Sequence, residues 1–321
     1  MKSAKIILML VAGLCLPLAC ELPEQLSSED MTVDQVSEKP FGKTLNNVRT
    51  GDHPHGLDQD RYVTMKTTGL KVHYRIIGKG PINMVFIPGW TNPLEVYSKQ
   101  FDYFREKARC IYIDVPGQGL SDAPEGVEYT MGLMAEAIYD VVTAEEAERF
   151  IGVGFSMGNA PLKEFERRYP GRITQLIFLD VGLPTWPPLT EEIREATYAQ
   201  QLTWTPEIKT MLLHQLIPPE TAPDDLIALG QYFLDFPNWL LANIYYHRNT
   251  EEMCQPYPWT VPIMVIYRDM KEVKEAKTKL FFPNCEIHVI GGDQHVIQWA
   301  YKDVVNQLMD DFIMDRPGRK Y

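Results

Sequence analysis

The chain is short of positive charge and of any repetitive pattern. Lys and Arg number 31 against 43 Asp and Glu, so the formal net charge is −12. A deficit of this size argues against nucleic acid as a partner and against electrostatic binding to an anionic membrane surface. The sequence also has no internal repeat, no heptad run and no low-complexity tract, which argues against solenoid, coiled-coil and fibrous architectures.

Cysteine is scarce as well. Of the 5 cysteines, Cys15 and Cys20 belong to the N-terminal segment, which leaves Cys110, Cys254 and Cys285. Three scattered cysteines cannot build a disulfide framework and leave room for one pair at most. Cys110 and Cys285 fall in predicted strands and are interpreted as small core residues.

Only the first twenty residues contain a long apolar run. Lys2 and Lys5 form a basic start, residues 6–18 an apolar middle and Ala19 a small residue at a plausible cleavage point. The run is too short for a comfortable permanent membrane anchor, and no other stretch approaches the length of a membrane span. Residues 1–19 are therefore predicted to be a signal peptide, and the protein is predicted to be exported to the periplasm or secreted.

Cys20 leaves two interpretations of that signal open. A cysteine directly after Leu18 and Ala19 is typical of bacterial lipoproteins, which are cut just before a lipid-bearing cysteine. Pro17 stands where that motif usually has leucine, which favours a plain secretory peptide. A membrane tether through Cys20 is one prediction, and a bare N-terminus is the other.

Residues 20–60 are polar, lack periodicity and are predicted to be a flexible tether. The tether contains His53 and His55, but no carboxylate or cysteine cluster accompanies them, so no metal site is assigned. The whole chain is 45% hydrophobic and 23% charged, which is ordinary for a globular protein.

From Arg61 onward, short apolar runs alternate with helical periodicity. Continuous apolar segments such as 82–87 and 150–153 are the kind buried on both faces of a parallel sheet. The segments 94–107, 131–147 and 159–169 between and after them are predicted helices. This alternation indicates an α/β, doubly wound, mostly parallel sheet with right-handed crossovers.

The segment Gly154-Phe155-Ser156-Met157-Gly158 fits the pattern G-x-S-x-G between a predicted strand and a predicted helix. So tight a turn forces the serine backbone into a strained conformation and leaves no room for side chains at the two glycines. The turn presents the serine hydroxyl at the carboxyl end of the sheet, in front of the positive end of the helix. Ser156 is therefore predicted to be a nucleophile.

The G-x-S-x-G motif is preceded in the chain by Pro88-Gly89-Trp90 and by the turn Asp114-x-x-Gly117-x-Gly119. These three features, in this order, make the chain resemble an α/β-hydrolase from about Tyr62 onward. The resemblance implies an eight-stranded sheet with a helical cap inserted after strand 6. The predicted segments are a first core part at 61–181, a cap at 182–259 and a second core part at 260–321. The many aromatic residues in the cap suggest an apolar substrate pocket.

The resemblance also implies the oxyanion hole. In that family, the residue after the glycine of the strand-3 loop donates a backbone N–H, and the residue after the nucleophile donates the second. These positions are Trp90, beside Gly89, and Met157. Pro88 replaces the family's usual histidine, but the replacement leaves a backbone role intact.

His295 follows the predicted eighth strand, where the family keeps its general base. The acid that orients the histidine has two candidates. The usual place, just past strand 7, is occupied by Lys271, with Asp269 about two residues early. Asp180 stands at the end of strand 6, where some members place the acid, and is preferred over Asp269.

These residues predict a serine hydrolase that cleaves an ester, or a related acyl bond, of an apolar small molecule, without a metal or organic cofactor. Two alternatives remain open: a carbon–carbon bond hydrolase or haloperoxidase on the same triad, and a catalytically inactive ligand-binding protein. The substrate and the oligomeric state are not predicted.

We expect intact-mass analysis of the native, processed protein to show that residues 1–19 have been removed. A lipid adduct on Cys20 would identify the tether, whereas a bare terminus would identify plain secretion. A mature chain that still begins at Met1 would contradict export.

Overall fold

The computed structural model describes residues 59–183, 188–250, 252–269 and 272–314. The signal-peptide prediction falls wholly outside the described residues, as does the tether prediction up to residue 58. Residues 59 and 60 already belong to the first strand, so regular structure begins slightly before the predicted boundary at Arg61. None of the helices in the described part of the chain is both long and apolar enough to span a membrane.

A single eight-stranded sheet runs through the described chain in the order β1-β2-β4-β3-β5-β6-β7-β8. The pairs β1–β2 and β2–β4 are antiparallel, and all the others are parallel. The doubly wound, mostly parallel sheet predicted from the sequence is therefore confirmed. The strands are β1 Gln59–Thr64, β2 Lys71–Ile77, β3 Ile82–Ile87, β4 Ala108–Ile113, β5 Phe150–Phe155, β6 Ile173–Leu179, β7 Ile263–Tyr267 and β8 Glu286–Val289.

Helices cover both faces of the sheet. The chain moves from β3 to β4 in one direction across the sheet and from β4 through β8 in the other, so right-handed crossovers place the connecting helices on opposite faces. The helices are α1 Ser98–Phe104, α2 Met131–Ala144, α3 Asn159–Arg168, α4 Glu191–Gln201, α5 Pro206–Leu216, α6 Asp224–Asp235, α7 Asn238–Arg248, α8 Glu272–Phe281, α9 Ile297–Ala300 and α10 Lys302–Met314. Accordingly, α2 packs with α3, whereas α1 packs with α9 and α10. The central strands are apolar because helices bury both of their faces.

The strand–helix alternation is interrupted between β6 and β7, where α4 to α7 follow one another. Thr190 and Thr205 begin α4 and α5 by accepting hydrogen bonds from the backbone N–H groups of Ile193 and Ile208. In this group α4 packs on α7 and α5 packs on α6. These four helices form the cap expected after strand 6.

Hydrogen bonds attach the cap to the loops at the carboxyl edge of the sheet. The Trp90 indole N–H donates to the carbonyl of Leu241 at 3.1 Å. The Gly119 N–H donates to the Tyr232 hydroxyl at 2.6 Å, and the His295 N–H donates to the carbonyl of Leu216 at 2.7 Å. The cap is therefore fixed against the loops that carry the candidate site residues.

A buried histidine braces the loop after β4. His73 is fully buried in β2, and its Nδ1 lies 2.7 Å from the Asp114 carboxylate. Asp114 also accepts from the N–H groups of Leu94 and Leu120 at 2.7 and 2.9 Å. One carboxylate thus ties together the start of a helical turn, the glycine turn and the second strand.

This network makes stability depend on pH. Burial alone would lower the pKa of His73, but its hydrogen bond to Asp114 and its ion pair with Asp60 outweigh burial and raise the pKa to about 9. A folded-state pKa above the unfolded value contributes stability that is complete below the unfolded pKa and is lost as pH rises through the folded pKa. The charged histidine therefore stabilises the protein near neutrality, and the stabilisation disappears in mild alkali.

We expect the free energy of unfolding of the wild type to fall by roughly 2 kcal/mol from about pH 6 to about pH 10. This value is smaller than the pKa shift of His73 alone implies, because its partner Asp60 is 43% exposed and solvent screens the interaction. His73→Gln removes this titration and should flatten the dependence in urea-unfolding experiments. His214→Gln, at an exposed position on α5, is the matched control and should retain the wild-type slope. An unchanged slope in His73→Gln would show that the network does not titrate in this range.

Candidate active site

Ser156 lies in the sharp turn between β5 and α3, with φ at 49°. A side chain on Gly158 would place its Cβ 2.3 Å from the carbonyl oxygen of Ile87, and one on Gly154 would meet the Gly158 carbonyl at 2.9 Å. The turn can therefore form only with glycine at both positions. A positive φ at serine is strained and exposes the hydroxyl above the sheet edge.

His295 lies in the loop after β8, with its ring within reach of the serine. Its Nε2 is 3.0 Å from Ser156 Oγ. The side chain is 7% exposed, and the ring packs beside Phe155 with the ring centroids 4.9 Å apart. The cap holds the backbone through the Leu216 carbonyl, so the imidazole position depends on both core and cap.

Asp180 lies directly after β6 and completes a hydrogen-bonded chain. Its Oδ2 is 2.6 Å from His295 Nδ1, and the residue is 4% exposed. Its own backbone has φ at 36°, and its N–H donates to the carbonyl of Ile266 at 2.7 Å. The strained backbone turns the carboxylate toward the histidine instead of along the strand.

The structure brings Asp180, and not Asp269, to the histidine. The Asp269 side chain is 53% exposed and accepts a hydrogen bond from Lys274 Nζ at 2.9 Å. It makes no hydrogen bond or ion pair with His295. Lys271, at the family's usual place for the acid, lies outside the described residues.

Two cations lie beside the Asp180 carboxylate. Arg268 Nε lies 3.4 Å from Oδ2, and Lys274 Nζ lies 3.5 Å from Oδ1. Burial tends to raise the pKa of Asp180, but the hydrogen bond to His295 and the nearby positive charges lower it overall. The carboxylate is therefore ionised and can accept the Nδ1 proton of a neutral imidazole.

The same surroundings keep His295 neutral. Burial lowers its pKa, Asp180 opposes this effect, and the charges of Arg268 and Lys274 lower the pKa further. The net direction is downward from 6.5. With Nδ1 as the donor to Asp180, Nε2 carries the lone pair that faces the serine hydroxyl and can act as a general base near neutrality.

Of the residues predicted to form the oxyanion hole, Gly89 lies close to Ser156 and Met157 follows it in the chain. A Cβ on Gly89 would lie 3.0 Å from the Phe155 ring and 3.1 Å from Ser156 Cβ, so the loop after β3 passes directly over the nucleophile. Met157 is buried immediately after the serine. Trp90 follows Gly89 in that loop.

The side chain of Trp90 has a role that the sequence did not suggest. Besides its bond to the cap carbonyl, the indole contacts the rings of Tyr245, Phe233 and Trp204 at centroid distances of 5.4, 6.2 and 6.4 Å. The loop after β3 is therefore anchored in an aromatic cluster contributed by the cap.

Sequence reasoning also missed three residues that support the turn at Ser156. The Asn159 side chain donates to the carbonyls of Ser156 and Gly182 at 2.6 and 3.2 Å. The Gly182 N–H donates to the Ser156 carbonyl at 3.1 Å, and Arg248 Nη2 donates to the Gly182 carbonyl. Asn159 was identifiable from its position after the motif, but Arg248 lies on the last cap helix and no local pattern marks it.

Cys110 and Cys285 differ in their surroundings. Cys110 is fully buried in β4, as predicted, whereas Cys285 lies just before β8 and is half-buried. The prediction that Cys285 lies in a strand was therefore wrong by one residue, because pairing with β7 starts only at Glu286.

Comparison with known proteins agrees with this architecture. Residues 82–209 match the family model described as alpha/beta hydrolase fold. Epoxide hydrolase 3 of Mus musculus is 24% identical over 288 residues, which cover 79% of this chain and 77% of the relative. A 2-hydroxy-6-oxononadienedioate/2-hydroxy-6-oxononatrienedioate hydrolase of Paraburkholderia phymatum is 28% identical over 277 residues, covering 77% of this chain and 92% of the relative.

A solved structure of a thermophilic esterase from Thermogutta terrifontis superposes with a TM-score of 0.68 at 19% identity, covering 80% of this chain and 98% of the esterase. Similarity at this level of identity establishes the fold, and the family match agrees with it. The sheet order, the turn at Ser156 and these comparisons together show that the chain has the alpha/beta-hydrolase fold.

Proposed function

We propose that this protein is a serine hydrolase that cleaves acyl bonds of small molecules. The observation that carries the proposal is the hydrogen-bonded chain from Ser156 Oγ through His295 to Asp180, with distances of 3.0 and 2.6 Å. A binding protein has no need for an ionised carboxylate, a neutral histidine and a strained serine in one buried line. This arrangement therefore argues against the catalytically inactive alternative.

In the proposed reaction, Ser156 Oγ attacks the acyl carbon while His295 Nε2 takes the serine proton. The backbone N–H groups of Trp90 and Met157 stabilise the negative oxygen of the tetrahedral intermediate. The bond to the leaving group breaks, and the histidine returns the proton to it. A water molecule, deprotonated in turn by His295, then releases the acid and regenerates the serine, while Asp180 stabilises the imidazolium in both halves.

The identity of the nucleophile separates this proposal from the epoxide hydrolase activity of the mouse relative. A serine that opened an epoxide would form an ether, which has no carbonyl carbon at which water could release the enzyme. A carboxylate nucleophile would instead form an ester that water can cleave. Serine at position 156 therefore favours acyl chemistry over covalent epoxide opening.

Carbon–carbon bond hydrolysis is the second candidate. The Paraburkholderia phymatum relative aligns over 92% of its length, and its name describes hydrolysis of an oxo-dienedioate. Cleavage beside a ketone also passes through a tetrahedral oxyanion, so the same donors and histidine would serve it. A panel of esters and β-diketone-type substrates would distinguish the two reactions.

We also propose that the substrate is largely apolar and that the protein works outside the cytoplasm. The aromatic cluster of the cap at Trp90 supports the first statement. The proposed location outside the cytoplasm rests on the basic, apolar and small residues that precede Cys20, together with the polar segment that follows them.

We expect a fluorophosphonate probe to label the wild type stoichiometrically and to leave Ser156→Ala unlabelled. Asp180→Asn should slow labelling by about three to four orders of magnitude, because an amide supports the wrong imidazole tautomer and cannot stabilise the imidazolium. Asp269→Asn is the matched control and should slow labelling by about tenfold or less. Circular dichroism would verify that each variant is folded.

The two negative outcomes of this experiment are distinct. Folded wild-type protein that resists the probe would reject the serine hydrolase. Strong labelling with the larger loss in Asp269→Asn would keep the hydrolase and transfer the acid role to Asp269.

The cations beside Asp180 should set the pH at which the serine becomes reactive. Labelling requires neutral His295, so its rate falls as pH drops through the pKa of that histidine. Lys274→Met removes a charge that disfavours the imidazolium and should move this acid limb to higher pH. Lys279→Gln removes an exposed charge from the same helix, α8, and should leave the limb unchanged. A shift toward lower pH in Lys274→Met would contradict this electrostatic assignment.

A further inference from the structure

The loop that carries His295 is attached to the core and also to the cap. On the core side, the Tyr301 hydroxyl accepts hydrogen bonds from the N–H groups of Asp293 and Gln294 at 3.0 and 3.2 Å. Arg268 Nη1 donates to the Asp293 carbonyl at 2.7 Å. These contacts hold the main chain of the loop as far as the residue before the histidine.

The side chain of Gln294 makes the contacts with the cap. It is buried, and its Nε2 donates to the Pro218 carbonyl at 2.9 Å and to the Thr221 hydroxyl at 2.7 Å. The Thr221 hydroxyl in turn donates to Asp293 Oδ2 at 2.5 Å. Both hydrogens of the amide nitrogen are thus used on the cap, and the chain of hydrogen bonds returns to the loop from which it starts.

The partners on the cap lie in residues 216–221, the cap segment that leads out of α5. Helix α5 ends at Leu216, and Pro218 and Pro219, which have no N–H group, follow it. The last carbonyls of a helix have no partner within the helix. The Leu216 carbonyl accepts instead from the His295 N–H, at 2.7 Å. Because proline fixes φ, the two prolines also limit the conformations that the cap segment can adopt.

The residue that follows Gln294 is the general base of the proposed mechanism. His295 Nε2 lies 3.0 Å from Ser156 Oγ, and its Nδ1 lies 2.6 Å from the Asp180 carboxylate. Both distances have to hold at once, and displacing a catalytic group by about 1 Å can cost on the order of a hundredfold in rate. The hydrogen bonds of the Gln294 amide and of the His295 N–H both end on the cap segment, so a movement of that segment would displace the imidazole.

We propose that Gln294 is a positioning residue for His295, and that it acts by binding the cap segment, with Thr221 as its partner there. The general base is then aligned with Ser156 only while this part of the cap is docked on the histidine loop. The expected effect on rate rests on the proposed hydrolase function, whereas the attachment of the loop to the cap can be tested without any activity.

The effect on rate is tested with the fluorophosphonate probe, by measuring the limiting labelling rate at saturating probe and the probe concentration that gives half of that rate. Gln294→Met keeps the length of the side chain and removes both N–H donors. We expect its limiting rate to fall by about tenfold or more at an unchanged half-saturating concentration, because the proton acceptor moves while the surface that binds the probe stays in place. Thr221→Val, at an exposed position, should lower the limiting rate by about threefold or more, and Thr221→Ser, which keeps the hydroxyl, should retain the wild-type rate.

Two control variants make the same substitutions elsewhere in the cap. Gln231→Met removes a hydrogen bond to Asp235 of the same helix, α6, and Thr210→Val removes one to the Pro206 carbonyl of the same helix, α5. Both controls should label like the wild type. Partial unfolding lowers the amount of protein that labels and leaves the limiting rate of the folded fraction unchanged, so the two effects are separable.

Three outcomes would overturn the proposal. They are a wild-type limiting rate in folded Gln294→Met, a loss that appears in the half-saturating concentration instead of the limiting rate, and a loss in Thr221→Val that Thr221→Ser shares. If Gln294→Met does not fold, the comparison of Thr221→Val with Thr221→Ser and Thr210→Val decides the matter.

Amide hydrogen exchange tests the attachment independently of catalysis. In Gln294→Met and Thr221→Val we expect exchange about fivefold faster or more in the peptides that contain His295 and the cap segment, because each variant loses hydrogen bonds that join the two. The two control variants should exchange like the wild type. Equal exchange in all the folded proteins would overturn the proposal. If the wild type does not label, the serine hydrolase fails as the proposed function, while this measurement still decides whether Gln294 holds the histidine loop to the cap.

Discussion

The hydrogen bond between His295 and Asp180 is the contact on which the rest of the site depends. It joins the loop after β8 to the end of β6 and, at 2.6 Å between buried groups, fixes which nitrogen of the imidazole carries the proton. Nε2 is thereby left to face Ser156 Oγ at 3.0 Å. The Leu216 carbonyl of the cap holds the histidine backbone, so the geometry requires the cap as well as the sheet.

Backbone strain is concentrated at the same edge of the sheet. Thr91, Ser156 and Asp180 are three of the four non-glycine residues in the described chain that have positive φ. They follow the carboxyl ends of β3, β5 and β6, which are three consecutive strands in the sheet. Such conformations persist only where surrounding contacts over-determine them, and here the contacts come from the packed parallel strands beneath and the cap above.

The electrostatics of the site oppose those of the whole molecule. The chain carries a formal charge of −12, yet Arg268 and Lys274 lie beside Asp180, and Arg248 lies across Gly182 from Ser156. Positive charges close to Asp180 and His295 lower the pKa of both groups and so favour an ionised carboxylate beside a neutral imidazole. They also create a local attraction for negative groups that net charge alone does not suggest, because interactions over a few ångströms in a buried site outweigh distant, screened surface charges.

The fold, and the positions of Ser156 and His295 at the carboxyl edge of the sheet, could be predicted from the sequence because they depend on local patterns. Apolar runs specify buried parallel strands, the glycines around Ser156 specify a turn that only glycine permits, and His295 follows the last strand of a regular alternation. From the sequence, Asp180 could only be preferred over Asp269, since both stand near strand ends that lie side by side in the sheet. Tertiary structure placed Asp180 against His295 through a strained backbone and Asp269 against Lys274 at the surface. The contact of Arg248 with the Gly182 carbonyl beside the turn at Ser156 is likewise a product of packing, because Arg248 lies on the last cap helix, far from the turn in sequence.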